Sequence, residues 1–347
     1  MSSKCNVLIY GGGAVGSIFG WRLAQQSTNR VSVVCRSNFE RVRSTGYALK
    51  TAAWGSGCFI PDQVFKAGHV RRSSHLQSYD YVVCSNKFAG DLTPTLRDLS
   101  GIIRPTTTLV TAQNGMDVEV PLRRAFPTNT ILTTICNIGC SQILPGLVEQ
   151  TADLKRKAFL IGVPYHDNSD RNAALRRRNA LAAMDSEFDS IDCVAEARWR
   201  KLIFNCAWNS TTALTGLNTH ELLRRSGASQ MVLQLAQEAY NVAIASGIQL
   251  DPQMPHETIK AAATSAPITP STLQDARNKR PMELTPIFGY LVMQAAKVGV
   301  QVPCITLMYD LLRQMNDALV ARQSWQVPDM LLPAVEQLLG REQIRER

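Results

Sequence analysis

The feature that most constrains this chain is a glycine motif between a predicted strand and a predicted helix close to its first residue. The apolar run KCNVLIY at 4–10 predicts a buried strand. It breaks into GGGAVG, in which Gly11, Gly13 and Gly16 form the pattern G-x-G-x-x-G. A helical pattern follows, and then a second strand, VSVVC, at 31–35. This order of strand, glycine turn, helix and strand predicts a βαβ unit.

Each glycine of the motif has a physical role where such a unit binds a dinucleotide. The first permits a tight turn, the second lets a pyrophosphate approach the backbone, and the third lets helix and strand pack closely. Free N–H groups and the dipole at the helix N-terminus favour the anion. The sequence therefore predicts a dinucleotide site at Gly11, Gly13, Ala14, Val15 and Gly16. The alternative is a tight turn without a ligand.

The end of the second strand predicts which dinucleotide is bound. A site for NAD(H) usually has Asp or Glu there to accept hydrogen bonds from the ribose hydroxyls. This chain has Arg36, which cannot accept them but can bind a 2′-phosphate. We therefore expect NADPH as the cofactor, with Arg41 able to share the phosphate. The alternative is that Arg36 is a surface residue at the start of the next helix.

Further buried strands are predicted at 79–84, 107–112 and 130–135, with helical patterns between them. Buried strands that alternate with helices indicate a parallel sheet covered on both faces. Such sheets bind ligands beyond the carboxyl ends of their strands. Lys87 and Asn114 follow two of these ends and are candidate contacts to cofactor and substrate.

The rest of the chain adds a hairpin that turns at Pro145-Gly146 and then changes to long helical patterns. These helices are predicted over 196–213, 228–246, 255–264, 282–298 and 303–321. We therefore predict an α/β fold in which a Rossmann-type doubly wound sheet over 1–193 precedes an all-helical domain over 194–347. The helices near 228–246 and 303–321 could bury their apolar faces against each other or in a homodimer.

Composition excludes several classes of protein. The net charge is +9, but the basic residues are scattered and form no groove with aromatics, so we do not expect a nucleic-acid partner. No apolar run approaches the ~20 residues of a membrane span, and the first strand leaves no room for a signal peptide. The 5 histidines have no metal-binding spacing. The odd count of 9 cysteines, several inside apolar runs such as Cys35, Cys84 and Cys206, predicts buried reduced thiols and a cytoplasmic location.

A polar stripe crosses an otherwise apolar helix in the second half. In RKLIFNCAWNS at 200–210, Lys201, Asn205 and Asn209 recur every four residues and share one face. A buried lysine without a partner is costly, so this stripe should face something polar. One interpretation is a structural polar network; the other is a cleft in which the lysine gives a proton to a carbonyl that accepts hydride.

Taken together, these motifs resemble the ketopantoate reductase (2-dehydropantoate 2-reductase) family. The shared segments, in that family's order and approximate spacing, are GGGAVG, NGM at 114–116, RKLIFNCAWN at 200–209, STLQD at 271–275, and the glutamate and glycine at 283 and 289. The lysine–asparagine helix and the STLQD segment are the specific parts of this resemblance. It implies that NADPH delivers hydride to the 2-keto carbon of ketopantoate and yields pantoate, on the route to pantothenate and coenzyme A.

The resemblance also implies roles for single residues. Lys201 would be the general acid, and Glu283 would bind the hydroxyl end of the substrate. Asn205 and Asn209 would hold hydroxyl and carboxylate groups of the substrate, and Ser271 would contact its carboxylate. Asn114 would help to place the keto acid beside the nicotinamide, and Lys87 would line the cofactor side. The structural alternatives are a salt bridge between Glu283 and Arg280, and a helix N-cap at Ser271.

The chain departs from the family pattern beside the glutamate. Many members have an acidic residue two positions later and an asparagine before the glycine, where this chain has Thr285 and Phe288, with Pro286 between them. These departures favour an alternative, an NADP-dependent dehydrogenase of another, bulkier 2-keto or 2-hydroxy acid. A second alternative is a non-catalytic NADP(H)-binding sensor, which should have lost the lysine acid that this chain retains.

Overall fold

The computed structural model describes residues 4–70, 78–88, 91–151, 154, 156–164 and 170–322. The chain divides into two compact units, Met1–Ala195 and Glu196–Arg347. The first unit is an α/β domain, and the regular elements described in the second unit are all helices. The predicted fold class is therefore confirmed.

The strands of the first unit form two sheets and are β1 Cys5–Tyr10, β2 Asn29–Cys35, β3 Tyr47–Thr51, β4 Gly55–Phe59, β5 Val64–Lys66, β6 Tyr81–Cys84, β7 Thr108–Thr111, β8 Ile131–Cys136, β9 Cys140–Leu144, β10 Leu147–Gln150, β11 Phe159–Gly162 and β12 Phe188–Ser190. Eight of them form one sheet in the order β12-β11-β8-β7-β6-β1-β2-β5. From β5 to β8 all neighbours are parallel, whereas β11 pairs antiparallel with β8. The strand direction therefore departs from the all-parallel expectation only beyond β8.

The order of the parallel strands places the ligand site. Read from β5 through β2, β1, β6 and β7 to β8, they have the 3-2-1-4-5-6 order of dinucleotide-binding folds, and the order reverses between β1 and β6. Both faces are covered, because Val7 and Ile9 of β1 belong to one apolar core and Leu8 and Tyr10 to another. This is the doubly wound arrangement that the buried strand runs predict.

A second sheet of four strands, in the order β4-β3-β10-β9, lies in the first unit. The predicted hairpin is its β9–β10 pair, and Gly146 in the turn has a left-handed φ of 75°. Strands β3 and β4 are absent from the sequence prediction, because β4 is short, glycine-rich and mostly exposed. The sheet packs on the first helix, where Gly20 and Gly57 leave room for Phe59 and Trp21.

Four of the five helices predicted in the second unit begin and end within two residues of their predicted limits, whereas the short helix at 219–223 was not predicted. The helices of both units are α1 Ala14–Ala24, α2 Phe39–Thr45, α3 Thr93–Leu99, α4 Val120–Ala125, α5 Arg171–Ala182, α6 Val194–Thr215, α7 Thr219–Leu223, α8 Ala228–Ala245, α9 Met254–Ala263, α10 Ser271–Arg277, α11 Tyr290–Val298 and α12 Pro303–Val320. One prediction is wrong in detail: the helix expected from residue 282 begins as a π-helix, Thr285–Gly289, ahead of α11. The Leu284 carbonyl accepts from the N–H of Gly289, five residues later, as in a π-helix, as well as from the N–H of Phe288.

A buried carboxylate joins two helices of the second unit. Glu238 of α8 is 4% exposed, and its two oxygens accept from the backbone N–H groups of Cys304 (3.1 Å) and Ile305 (3.0 Å). These are first-turn groups of α12, whose own N-cap residue provides no side-chain bond. The carboxylate therefore satisfies them and opposes the positive end of the helix dipole. Helices α8 and α12 thus pack against each other, one of the two arrangements that the sequence allowed.

All nine cysteines are free thiols. Burial raises the pKa of Cys84 to about 12 and that of Cys35 to about 11, so these thiols stay protonated and unreactive near neutral pH. No group of three His, Cys, Asp or Glu side chains that could hold a metal occurs in the described part of the chain. Within the same part, no helix is long and apolar enough to cross a membrane.

The Glu238 contact predicts a stability effect. Glu238→Ala should lower the free energy of unfolding of the second unit by about 2–4 kcal/mol, because two buried N–H groups lose a charged acceptor. The exposed Glu257 of α9 is the control, and Glu257→Ala should cost about 1 kcal/mol or less. Urea unfolding followed by circular dichroism measures both. Equal losses would show that the contact with α12 contributes nothing specific.

Candidate functional site

The glycine loop connects β1 to α1 at the point where the strand order reverses. Gly11 has a φ of +117°, and a Cβ there would collide with the backbone of Asn86 beyond β6. A Cβ at Gly16 would collide with the Gly11 carbonyl and the Ser85 hydroxyl. Only glycine fits at either position, because the turn and the helix lie directly against neighbouring backbone. Two of the roles predicted from the motif are therefore present in the geometry.

The middle of the loop fits an anion. A Cβ at Gly13 would meet nothing within 4 Å, so the backbone there is open on that side. Gly13 is the N-cap of α1 and provides no side-chain bond, and the first backbone bond into the helix is donated by Ser17. The N–H groups of Ala14, Val15 and Gly16 come before Ser17 in the chain. They are the first-turn donors for which a helix provides no acceptor of its own. This arrangement suits the pyrophosphate of a dinucleotide.

The end of β2 presents positive charge. Arg36 follows the last residue of β2 and is exposed, and Arg41 is an exposed residue of α2. The nearest carboxylate along the chain, Glu40, pairs with Arg43 at 3.0 Å. The position after β2 where an NAD(H) site usually has Asp or Glu for the ribose hydroxyls is thus occupied by Arg36. Contact of either arginine with a 2′-phosphate stays a prediction.

The ends of β6 and β7 are joined by side chains. Gln113 donates from Nε2 to the Asn86 carbonyl at 2.6 Å. Asn86 belongs to the polar segment after β6 from which the sequence predicts contacts, and its Oδ1 is buried without a partner among the described residues. The turn after β7 contains Asn114, Gly115 at φ 99° and Asp117 at φ 57°. A left-handed residue other than glycine costs energy and often marks a functional turn.

Lys201, Asn205 and Asn209 share one stripe of α6, as predicted. Lys201 is half-buried, whereas Asn205 is 9% and Asn209 2% exposed. The Nδ2 of Asn209 is buried and has no hydrogen-bond partner in the described part of the chain. Most buried polar groups are paired, so an unpaired amide donor requires an explanation, and a bound polar ligand provides one.

The STLQD segment is mainly structural. Gln274 donates to the Thr269 carbonyl at 2.8 Å, and Asp275 pairs with Arg280 at 3.2 Å. Ser271 is the exposed first residue of α10, and the N-cap position belongs to Pro270. The N-cap role considered for Ser271 is therefore wrong, because the preceding proline already has the extended conformation of a cap residue.

Glu283 lies two residues before the π-helix, not within a helix as the sequence suggested. It is half-buried, and Arg280, considered as its salt-bridge partner, pairs with Asp275. Of the three residues that depart from the family pattern, Pro286 and Phe288 are buried, and Phe288 stacks on Tyr309 at 6.5 Å. Only Thr285 is exposed, so Phe288 belongs to the core of the second unit.

Comparison with known proteins identifies the same family over both units. The family model described as Ketopantoate reductase PanE/ApbA matches residues 7–162, and that described as Ketopantoate reductase PanE/ApbA C terminal matches residues 194–316. The Saccharomyces cerevisiae protein named Uncharacterized protein YDL144C is 28% identical over 340 residues, which are 88% of this chain and 92% of that protein.

Solved structures agree with this finding. The crystal structure of 2-dehydropantoate 2-reductase from Methylococcus capsulatus has 27% identity and a TM-score of 0.75, and the match covers 93% of this chain and 99% of that one. A ternary structure of D-mandelate dehydrogenase with NADH and anilino(oxo)acetate shares the fold at 22% identity and a TM-score of 0.76, over 91% and 99% of the two chains. With family models matching both units and a related enzyme aligned along nearly the whole chain, this protein belongs to the ketopantoate reductase family of oxidoreductases.

Proposed function

We propose that this protein reduces a 2-keto acid with NADPH and that the substrate is ketopantoate, which becomes pantoate. The observation that carries this proposal is the stripe of Lys201, Asn205 and Asn209, in which the buried Asn209 amide donor has no partner among the residues that the structure describes. A lysine and two amides on an apolar helix suit a small anionic molecule with a carbonyl group. The nine free thiols support a reducing, cytoplasmic setting.

The first unit would hold the cofactor. The N–H groups of Ala14, Val15 and Gly16 would bind its pyrophosphate, and Arg36 with Arg41 would bind its 2′-phosphate. Lys87 and Asn114, beyond β6 and β7, would line the nicotinamide side. When bound, NADPH supplies the hydride that reduces the keto carbon.

The second unit would supply the proton and the substrate contacts. As hydride arrives, the keto oxygen becomes an alkoxide, and the Lys201 ammonium stabilises that charge and donates a proton to the oxygen. Asn205 and Asn209 would donate to the substrate's hydroxyl and carboxylate groups. Ser271, whose hydroxyl is not occupied in capping α10, would contact the carboxylate, and Glu283 would accept a bond from the distal hydroxyl.

A bulkier 2-keto acid is the second candidate substrate. Thr285 is exposed two residues after Glu283, where many relatives have an acidic residue, so part of the site for the distal hydroxyl differs in this chain. The related D-mandelate dehydrogenase structure holds anilino(oxo)acetate. Rates with ketopantoate and with aromatic and branched 2-keto acids decide between the substrates. A non-catalytic sensor would reduce none of them.

Removing the lysine tests the acid role. Lys201→Ala should lower kcat by on the order of 10² or more, because the alkoxide loses its proton donor, while NADPH binding stays unchanged. NADPH oxidation at 340 nm measures turnover, and nucleotide fluorescence measures binding. The exposed Lys260 of α9 is the control, and Lys260→Ala should have wild-type activity. Equal turnover of Lys201→Ala and wild type would remove the lysine from the mechanism.

Reversing the charge at the end of β2 tests the cofactor. Arg36→Asp should shift the ratio of kcat/KM for NADPH and NADH toward NADH, because a carboxylate repels the 2′-phosphate and accepts from ribose hydroxyls. Arg43→Asp makes the same change of charge on the exposed side of α2 and should leave the ratio unchanged. An equal shift of the ratio in both variants would indicate that the electrostatic potential of the whole domain sets the preference, and not a contact between Arg36 and the 2′-phosphate.

Replacing Asn209 separates binding from packing. Asn209→Leu should lower kcat/KM for the keto acid roughly tenfold or more, yet keep or raise the free energy of unfolding, because the lost amide donor has no hydrogen-bond partner within the described ranges. The control is Asn129→Leu. Asn129 is 4% exposed and donates to the carbonyls of Arg104 (2.7 Å) and Thr107 (2.9 Å). That variant should lose about 1–3 kcal/mol of stability. A comparable loss in Asn209→Leu would indicate a structural role.

A further inference from the structure

The proposed function assigns no role to a buried network of side chains that contacts the glycine loop. The carbonyl of Gly12 accepts two side-chain hydrogen bonds, from Asn38 Nδ2 at 2.7 Å and from Tyr47 Oη at 3.0 Å. Asn38 is 5% and Tyr47 1% exposed, so both bonds are shielded from water. A carbonyl has two lone pairs, and this one uses both on side chains from outside the βαβ unit.

The peptide unit between Gly12 and Gly13 is fixed at both ends. The side chains of Asn38 and Tyr47 hold its carbonyl, and the Gly13 N–H donates to the Gly11 carbonyl at 2.8 Å. The Gly12 N–H donates to Val34 at 2.9 Å, and a Cβ at Gly12 would collide with the Tyr47 hydroxyl. Because a peptide unit is planar, fixing both ends sets the direction in which the chain enters α1.

The two donors come from elements that the glycine motif does not include. Tyr47 begins β3 of the four-stranded sheet, and its ring stacks on Phe59 at 5.7 Å. Asn38 is the N-cap residue of α2 but makes no capping bond; its Nδ2 also donates to Gln142 Oε1 of β9 at 3.1 Å. An asparagine at this position usually caps its own helix, so its use on the glycine loop is distinctive.

The chemistry of Tyr47 suits a permanent donor. Burial and the neighbouring Cys35, whose sulfur lies 3.3 Å from the hydroxyl, raise the pKa of Tyr47 above its ordinary value. The hydroxyl therefore stays protonated through the neutral and mildly alkaline range. The bond to Gly12 does not depend on pH under conditions used for an NADPH assay.

We propose that Tyr47 and Asn38, with Gln142 holding Asn38, are positioning residues that aim the first-turn N–H groups of α1 at the cofactor pyrophosphate. The proposal rests on the NADPH site proposed above. None of the three side chains needs to contact the nucleotide. Because the pyrophosphate is common to NADPH and NADH, the network should support both cofactors equally, unlike Arg36.

The test is nucleotide affinity in Tyr47→Phe, which keeps the stacked ring and removes one donor. We expect the Kd for NADPH and that for NADH each to rise about five- to tenfold, as for one lost buried hydrogen bond. The KM for the keto acid and kcat at saturating NADPH should stay within about twofold, because neither the acid nor the substrate contacts change.

Tyr81→Phe is the matched control. Tyr81 is 2% exposed and donates from its hydroxyl to the Arg177 carbonyl at 3.0 Å, at the amino end of β6, away from the loop. It should lower the melting temperature as Tyr47→Phe does and leave both Kd values unchanged. Gln142→Leu, at a half-exposed position, is a milder second variant and should raise both Kd values about two- to threefold.

Other outcomes of these binding measurements would each contradict one part of the two proposals. Unchanged Kd values in Tyr47→Phe and Gln142→Leu would make the network purely structural. Weaker binding of NADPH alone would indicate a contact with the 2′-phosphate in place of loop positioning. If the wild type binds NADPH but reduces no 2-keto acid, the reaction is wrong and the Kd comparison still decides the network. A wild type that binds neither nucleotide would overturn both proposals.

Discussion

The structure of the first unit depends on the contact between the glycine loop and the backbone beyond β6. Gly11 lies against Asn86, and Gly16 lies against the Gly11 carbonyl and Ser85, with no space for a side chain between them. This contact brings α1 down onto the sheet where the strand order reverses. The uncapped start of the helix is thereby held at the carboxyl edge of the sheet, and every candidate cofactor contact in the unit is arranged around it.

The features that local sequence predicts well are those set by spacing along a few residues. The G-x-G-x-x-G turn, the Pro145-Gly146 hairpin and the stripe of Lys201, Asn205 and Asn209 were all predicted, because each depends on backbone geometry within one or two elements. The buried strand runs also predicted two covered faces. The stripe alone could not show that the Asn209 Nδ2 has no hydrogen-bond partner in the described part of the chain, since burial and pairing depend on the neighbouring helices.

The features that the sequence did not predict depend on residues far apart in the chain. Strands β3 and β10 are parallel neighbours although about a hundred residues separate them, and Asn38 meets Gln142 across 104 positions. The cap of α12 comes from Glu238, 67 residues before Ile305. A second kind of miss is local but subtle: the segment at 285–289 fits a helical pattern, yet it forms a π-helix ahead of α11. Helix propensity does not distinguish a segment that forms an α-helix from one that forms a π-helix.

The pairing of β3 with β10 has a consequence for the newborn protein. Tyr47–Thr51 leaves the ribosome well before Leu147–Gln150, and at 5–20 residues per second that interval is roughly 5–20 s. During it, one edge of β3 has no strand to bind, and Gln142 is not yet available to Asn38. The glycine loop is thus translated well before the segment that completes its support.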